Sequence, residues 1–114
     1  MIICCGEALI DCLPRRLASG EDAFQPVNGG SVYNTAIALG RLGHKVGLFA
    51  GMSTDFFGDS LREGLKTSQV SGKYLRTKPL HTTLAMVKLV DGHARYSCID
   101  DAQVGVSLMK ADLP

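Results

Sequence analysis

The sequence lacks any marked excess of charge and any long apolar run. Its 12 Lys and Arg residues nearly balance its 11 Asp and Glu residues, which leaves a net charge of +1. This balance gives no reason to expect a nucleic acid or a membrane surface as a partner. No apolar run approaches the length of a membrane span, and no positively charged segment precedes an apolar core at the N-terminus. We therefore expect a cytoplasmic protein with neither partner.

The cysteines lack the spacing of a metal site or of a disulfide framework. They are Cys4, Cys5, Cys12 and Cys98. No Cys-x-x-Cys pair occurs, so a zinc site is not indicated. Cys4 and Cys5 are adjacent in a strand-like run, so their side chains point to opposite faces. We interpret the cysteines as small buried apolar residues and expect no bound metal.

Two phosphate-binding motifs are also missing. The dinucleotide motif Gly-x-Gly-x-x-Gly needs separated glycines, whereas Gly29 and Gly30 are adjacent. No Gly-Lys-Ser/Thr follows them, so the P-loop pattern is not met either. A nucleotide-binding regulatory domain of Rossmann type is therefore the least favoured function for this chain.

The most informative stretch is residues 28–43, where two glycines precede a helical pattern. The apolar residues spaced three or four apart are Val32, Ala36, Leu39 and Leu42. This spacing predicts a helix with one apolar face. Gly43 then occupies the position of a left-handed C-terminal cap.

The start of this predicted helix has the chemistry of a ligand site. Gly29 and Gly30 lack a Cβ, so the backbone can turn sharply and a ligand can approach it closely. The first helical turn leaves N–H groups unpaired, and Asn34 adds an amide that both donates and accepts. Such a group suits a hydroxyl-rich or anionic ligand. A plain loop-to-helix junction accounts for these residues equally well.

Two apolar runs, residues 1–5 and 44–51, predict buried parallel strands on either side of this helix. Strand, helix and strand then form a βαβ unit. Ligands bind beyond the carboxyl ends of such strands, where Glu7 and Asp11 lie. A carboxylate at Asp11 can accept hydrogen bonds from sugar hydroxyls. On chemistry alone, a surface carboxylate or a turn cap is the favoured explanation.

The segments on either side of this unit predict a loop and a second helix. Residues 13–27 are polar and broken by prolines, so we expect a loop or a short edge strand there. Asp55 is a good capping residue before an apolar pattern of Phe57, Leu61 and Leu65. That pattern predicts a helix with one apolar face.

A hairpin is predicted near the C-terminus. Residues 82–90 and 93–99 are rich in β-forming residues, and Asp91 and Gly92 lie between them. Asp-Gly is a strong signal for a two-residue hairpin turn. We therefore expect two antiparallel strands joined at that point.

The order of several separated motifs resembles the N-terminal half of the ribokinase-type (PfkB) carbohydrate kinases. The matching positions are Gly29, Gly30, Asn34, Ala36, Gly43, Gly51, Asp55, Phe57 and Gly58. Residues 6–11 and 82–85 fit the same pattern, so the resemblance covers essentially the whole chain and is closest to fructokinase-like members. Two positions depart from it, because Val32 stands where a small residue is usual and Ser53 where a glycine is usual.

The resemblance implies a fold and a domain organisation. The fold is α/β, the N-terminal part of a ribokinase-like, doubly wound and Rossmann-like sheet with a small β lid. Residues 1–114 would form a partial kinase domain, with lid segments at about residues 12–28 and 80–100. The family's C-terminal half, which holds most of the ATP site and the general base in a Gly-Ala-Gly-Asp loop, is not matched. No catalytic residue is therefore assigned in this chain.

The resemblance also implies an activity, the phosphorylation of a sugar hydroxyl by ATP with Mg²⁺. The substrate is expected to be fructose or a related hexose. The positions that match the family's substrate-binding residues are Asp11, Gly29, Gly30 and Asn34, with Tyr96 and Asp100 as further candidates. In some members the lids pair across a dimer interface, so a homodimer through the lid is implied as well.

The missing general base raises an alternative from a different class. The chain would then be a truncated, non-catalytic sugar-binding fragment or a vestigial one. The departures at Val32 and Ser53 favour this alternative, as does the absence of the aromatic pair that close relatives place near Cys98 and Ile99. Sugar binding without turnover would support the binding version.

Overall fold

A computed structural model of the chain describes residues 1–99 and 103–114. Within this part the strands are Ile2–Cys5 (β1), Leu9–Arg16 (β2), Asp22–Gly29 (β3), Val46–Ser53 (β4), Val70–Ser71 (β5), Leu75–Lys78 (β6), Thr83–Val90 (β7) and His93–Ile99 (β8). The α-helices are Ser31–Arg41 (α1) and Phe56–Thr67 (α2), and 3₁₀ turns span Val104–Val106 and Lys110–Asp112.

The strands form two sheets that differ in strand direction. In the inner sheet β1, β4 and β5 are neighbours, and β6 also pairs with β4. In the outer sheet the order is β3-β2-β7-β8. All pairs of the inner sheet are parallel, whereas the outer sheet combines two antiparallel pairs with one parallel pair. The predicted α/β fold is therefore confirmed.

The predicted βαβ unit is present. Strand β1 pairs in parallel with β4, from Ile2 opposite Val46 to Cys5 opposite Phe49. Helix α1 lies between the two strands in the chain. Every residue of β4 is buried, as expected for a central parallel strand that is covered on both faces.

The prediction that β1 is buried is wrong. Ile2 is 45% exposed and Ile3 is 39% exposed. The reason is position, because β1 pairs with β4 on one side and, in the described residues, no strand pairs with its other edge. The interpretation of the cysteines needs the same correction at Cys5, which is exposed, while Cys12 is buried. The side chain of Cys98 lies outside the described part.

Helix α1 has the predicted extent, and three of the four residues of the predicted apolar face pack against the core. Gly43 has φ of 87° and ends the helix as expected, yet Leu42 is 74% exposed. The fully buried residues of α1 are Tyr33, Ala36 and Gly40. Val32 and Leu39 are partly buried against the core beside Ala36, and Tyr33 adds a fourth contact, whereas Leu42 falls at the cap, outside the regular helix.

Two short strands were not predicted. Val70 and Ser71 pair with the start of β4, and Leu75–Lys78 pairs with its end. Strand β6 also holds the C-terminal segment, because the Lys78 ammonium donates to the Asp112 carboxylate at 2.9 Å. Strands of two and four residues carry too little periodicity to be recognised in a sequence.

For residues 13–27 the expectation of a loop is wrong and that of an edge strand is confirmed in part, because β2 and β3 pair antiparallel over eight residues each and β3 is an edge strand of the outer sheet. Pro14 is tolerated in β2 because the pairing with β7 ends at Cys12 opposite Met86, two residues earlier. A proline is acceptable where a strand has no neighbour on the side of its missing N–H.

The predicted hairpin is confirmed as β7 and β8. Asp91 has φ of 50° and Gly92 has φ of 77°, the two positive angles that a type I′ turn requires. The pairing runs from Val90 opposite His93 to Leu84 opposite Ile99. Since β7 also pairs with β2, this hairpin and the β2–β3 hairpin make one continuous sheet.

Helix α2 begins at Phe56 after the cap residue Asp55, and it buries Leu61 and Leu65 as predicted. Both residues belong to the core that also contains residues of β4 and of the first half of β2. Neither α1 nor α2, the helices of the described part, is long and apolar enough to cross a membrane.

Candidate functional site

The Asp11 carboxylate lies directly over Gly29. Asp11 is in β2, opposite Val27 of β3 and Ala85 of β7. A Cβ built on Gly29 would collide with the carboxylate. The absence of a side chain at Gly29 therefore lets the carboxylate occupy the place where the outer sheet meets α1.

The environment of Asp11 changes its acidity. The residue is half-buried in the sheet, and desolvation by this burial raises the pKa of its carboxyl group. Burial has this effect because the charged form loses contact with water. A partly desolvated carboxylate is also a stronger hydrogen-bond acceptor for a ligand that displaces the remaining water.

Gly30 turns the chain from β3 into α1. Its φ is 103° and it is the N-cap residue of α1, with no side-chain cap hydrogen bond. A Cβ at this position would lie 2.9 Å from the carbonyl oxygen of Glu7. The conformation and the close approach both favour glycine. The first N–H groups of α1 then have no partner within the helix.

Asn34 lies on the first turn of α1 and is exposed. Its backbone N–H donates to the carbonyl of Gly30 at 2.9 Å. The structure thus brings four of the predicted residues to one junction between the outer sheet and α1. They are Asp11, Gly29, Gly30 and Asn34.

The two further candidates are placed differently. Tyr96 is opposite Val87, two residues after Ala85, which is opposite Asp11. Residues two apart share a face of a strand, so Tyr96 and Asp11 lie on the same face of the outer sheet. The Tyr96 side chain is 66% exposed. Asp100 lies outside the described residues.

A polar group near Gly30 was not identified in the sequence. The buried hydroxyl of Thr83 donates to the side-chain carbonyl of Gln103. A Cβ on Gly105 would lie 2.6 Å from a Glu7 carboxylate oxygen and 3.2 Å from the Thr83 hydroxyl. Glu7 and Thr83 therefore both lie against Gly105, and Gln103 is hydrogen-bonded to Thr83. Their separation along the chain leaves no local pattern that could have revealed this group.

The two departures from the family pattern have structural explanations. A Cβ on Gly6 would lie 2.5 Å from Val32 Cγ2, so the larger side chain at 32 fills the space that Gly6 leaves open. Ser53 is buried, and its hydroxyl accepts the N–H of Asp55 at 3.0 Å. Neither change disturbs the junction around Asp11.

Asp55 does more than the predicted cap. Its Oδ1 accepts the N–H of Gly58 at 2.8 Å, which confirms the cap of α2, and also the hydroxyl of Thr82 at 2.7 Å. Its Oδ2 accepts the N–H of Thr82 at 2.9 Å. Burial by itself raises the pKa of Asp55, but these hydrogen bonds outweigh it and the pKa is lowered.

A second link joins α2 to the outer sheet. The Asn28 side-chain amide donates to the Ser60 carbonyl at 3.1 Å, and the Ser60 hydroxyl donates to the Asn28 side-chain oxygen at 2.9 Å. Asn28 is the residue before Gly29 in β3. Helix α2 therefore contacts the outer sheet at both β3 and the start of β7.

Residues 1–99 and 103–114 contain no group of three or more His, Cys, Asp or Glu side chains that could hold a metal ion. The junction instead offers a carboxylate, an amide and free helical N–H groups, next to a sheet that extends beyond them. These features define an α/β protein in which a polar junction joins a small β-sheet to the first turn of α1.

The comparisons with known proteins specify this class. The model of the pfkB family carbohydrate kinases matches residues 1–112. The chain belongs to this family, which confirms the resemblance.

Three relatives show how much of a full-length family member this chain spans. A fructokinase of Rhizobium leguminosarum bv. trifolii is 48% identical over 114 residues, which are 100% of this chain and 35% of the relative. The fructokinase of Xylella fastidiosa, solved with bound ATP, is 31% identical with a TM-score of 0.89 over 99% of this chain and 34% of that one.

The fructokinase of Vibrio cholerae O395, solved with fructose, ADP and a calcium ion, is 25% identical with a TM-score of 0.84. This match covers 99% of the chain and 36% of that protein. The chain therefore spans about a third of the length of the relatives it matches, and it corresponds to their N-terminal part.

Proposed function

We propose that the polypeptide containing this chain transfers a phosphoryl group from ATP to a hydroxyl of fructose or a related hexose. In this proposal the residues of the chain supply the sugar-binding half of the site. The observation that carries it is the junction at which the Asp11 carboxylate lies over Gly29 and beside the first turn of α1. The family match and the names of the three relatives support the reaction class.

The residues of the junction suit a sugar because a sugar presents several hydroxyls in a fixed geometry. Asp11 accepts hydrogen bonds from two hydroxyls, while the Asn34 amide donates to one and accepts from another. The N–H groups after Gly30 add donors at fixed positions. Tyr96 and Asp100 are proposed as further contacts. These groups orient the sugar, which is a catalytic contribution without proton transfer.

The described residues do not form a site for the other reactants. They lack a metal-binding group, and the glycine motifs of phosphate binding are absent from the sequence. ATP would supply the phosphoryl group and Mg²⁺ would balance its charge. No contact with either is assigned to these residues, and no residue of the chain is assigned as the general base.

We also propose that the outer sheet is a lid, with segments at about residues 12–28 and 80–100. Asp11 lies where the sheet joins the core, and the turns of both hairpins lie at the opposite end of the sheet, away from the core. Covering the sugar would exclude water, which otherwise competes for the transferred phosphoryl group. The partial kinase domain then comprises residues 1–114.

A homodimer through this lid is part of the proposal. The outer sheet ends at β3 and β8, and its tips expose Phe24 (54%) and Leu89 (63%) beside an open cleft of about 880 Å³. A second copy of the same surface would cover these apolar side chains. Sedimentation of Phe24→Asp against Leu42→Asp, an exposed residue at the end of α1, tests it. Only the first change should shift the protein to monomer.

The activity is tested with the full polypeptide that contains these residues. We expect saturable binding of fructose in calorimetry and ADP formation when ATP, Mg²⁺ and fructose are supplied together. Asp11→Asn should reduce both. If no member of a hexose and nucleoside panel raised ADP formation above the sugar-free control, the proposal would be contradicted.

The second candidate is a non-catalytic sugar-binding or vestigial fragment. The departures of Val32, Ser53, Cys98 and Ile99 from the family pattern favour it. Sugar binding by the natural polypeptide without ADP formation would support it. A cytoplasmic location stays a prediction from the sequence, which fractionation of the source cells would test.

A further inference from the structure

Two hydrogen-bonded links connect α2 to the outer sheet, and they reach the two strands that flank Asp11. The strand order is β3-β2-β7, and Asp11 lies in the middle strand. Asn28 of β3 is bonded to Ser60 of α2 through both its amide nitrogen and its amide oxygen. Thr82, immediately before β7, is bonded to Asp55 at the N-terminus of α2 through both its N–H and its hydroxyl.

We propose that Asp55 and Ser60 are positioning residues of the sugar site, because through them α2 fixes both neighbours of the strand that carries Asp11. The inference rests on the proposed function, since it assigns a role in sugar binding. Neither residue is expected to touch the sugar. They act through the backbone of β3 and β7.

The register of the sheet shows why links at Thr82 and Asn28 would control the position of Asp11. Thr82 lies one residue before Thr83, which is opposite Leu9, and three residues before Ala85, which is opposite Asp11. On the other side, Asn28 is opposite Ile10, adjacent to Asp11. A shift of either neighbour would move the carboxylate relative to Gly30, and misplacement of a binding group by a fraction of an ångström weakens a site that depends on preorganisation.

Burial makes the link to β7 the stronger of the two. Thr82 is 4% exposed, and Asp55 accepts three hydrogen bonds from Thr82 and Gly58. Hydrogen bonds to a charged acceptor are stronger than those between neutral groups. The link between Asn28 and Ser60 is more exposed, and we expect it to contribute less.

Asp55→Asn disrupts the link to Thr82 while it keeps the N-terminal cap of α2. Asparagine is as good an N-cap as aspartate, so with its oxygen at the place of Oδ1 it still accepts from Gly58. Its NH₂ group then occupies the place of Oδ2 and faces the N–H of Thr82, which places two donors against each other. Asp59→Asn is the matched control, because Asp59 is an exposed acid in the first turn of the same helix and pairs with Arg62.

The experiment measures fructose binding and amide hydrogen exchange in the full polypeptide. For Asp55→Asn we expect the dissociation constant to rise about tenfold, as for the loss of one hydrogen bond to a charged group. Amides of residues 82–85 should exchange about tenfold faster without sugar, while those of α1 stay unchanged. For Asp59→Asn both quantities should stay within about twofold. Equal effects of the two variants would overturn the inference.

Two further variants keep the test decisive if Asp55→Asn unfolds. Thr82→Val removes the hydroxyl bond and keeps the cap, so we expect weaker fructose binding, whereas Thr82→Ser retains both bonds and should bind like the wild type. Identical binding by these two variants would overturn the inference. If the wild-type polypeptide binds no sugar, the proposed function fails instead, and the exchange rates of residues 82–85 alone decide whether Asp55 fixes β7.

Discussion

The hydroxyl of Tyr33 donates a hydrogen bond to the backbone carbonyl of Leu61 at 2.9 Å, inside the core between α1 and α2. The hydroxyl lies against Gly64, where an added Cβ would collide with it. Tyr33 therefore joins the helix that carries Asn34 to the helix that contacts the outer sheet, and it does so where water has no access.

Tyr33→Phe should lower the free energy of unfolding by about 1 kcal/mol, because the buried hydrogen bond to the Leu61 carbonyl is lost while that carbonyl keeps its helical N–H partner in α2. Urea denaturation measures this change. Tyr74→Phe is the control, since the Tyr74 ring packs against Gly47 and is only half-buried; we expect a change within about 0.5 kcal/mol. An equal loss in both variants would mean that the hydroxyl bond contributes nothing specific.

Gly30→Ala should abolish sugar binding, whereas Gly20→Ala should not. Both glycines have positive φ, 103° and 89°, so each alanine adds backbone strain of about 1–3 kcal/mol. At Gly20 no atom lies within 4 Å of an added Cβ, while at Gly30 the Glu7 carbonyl oxygen lies 2.9 Å away. Calorimetry with fructose compares the two variants, and retained binding in Gly30→Ala would contradict the proposed site.

Sugar affinity should fall at low pH because of Asp11. Burial raises the pKa of this carboxyl group above the ordinary value of an aspartate, about 3.9. Protonation replaces one acceptor with a donor, so binding weakens as the pH falls through that raised pKa. Asp11→Asn should bind fructose about 10- to 100-fold more weakly and without this pH dependence. A wild-type affinity that is constant from neutral pH to below 4 would refute the role.

The stability of the fold should also decrease in acid, through Asp55 and Asp112. Hydrogen bonds from Thr82 and Gly58 outweigh burial at Asp55, and a hydrogen bond from Lys78 acts first at Asp112, so the pKa of each is lowered in the folded state. A lowered folded pKa adds stability above the unfolded pKa, and this stability is lost as the pH falls through the folded value.

Melting temperatures between pH 6 and pH 3 measure this loss, with the decline expected below about pH 4. The double variant Asp55→Asn with Asp112→Asn should show a shallower decline than the wild type. Asp59→Asn with Asp22→Asn is the matched control, because both are exposed acids that pair with an arginine at the surface. The same acid slope in all three proteins would count against the assignment.

Local pattern predicted the elements that are long and regular. The spacing around Ala36 and Leu61 predicted both helices, and Asp91-Gly92 predicted the hairpin turn. These features depend on neighbours within a few residues, so the sequence displays them directly. The same reasoning was only partly right for residues 13–27, where prolines suggested a loop or a short edge strand but β2 and β3 form a full hairpin with β3 at the edge.

The failures share a physical cause. Whether Pro14 breaks a strand depends on whether another strand needs its N–H, and that is decided by where β7 ends its pairing. The exposure of Ile2 and Ile3 likewise depends on which strand lies beside β1. Pairing partners come from distant parts of the chain, so no window of the sequence contains them.

The sequence by itself determined the family and the βαβ unit, because ordered motifs and apolar periodicity are local features of the chain, and the resemblance to the family named the four residues that meet at the junction. Only the tertiary structure decided that Asp11 lies over Gly29, that Glu7 and Thr83 lie against Gly105, and that Asp55 reaches Thr82. These contacts join residues 18 to 98 positions apart, and sheet register, rather than sequence proximity, brings them together.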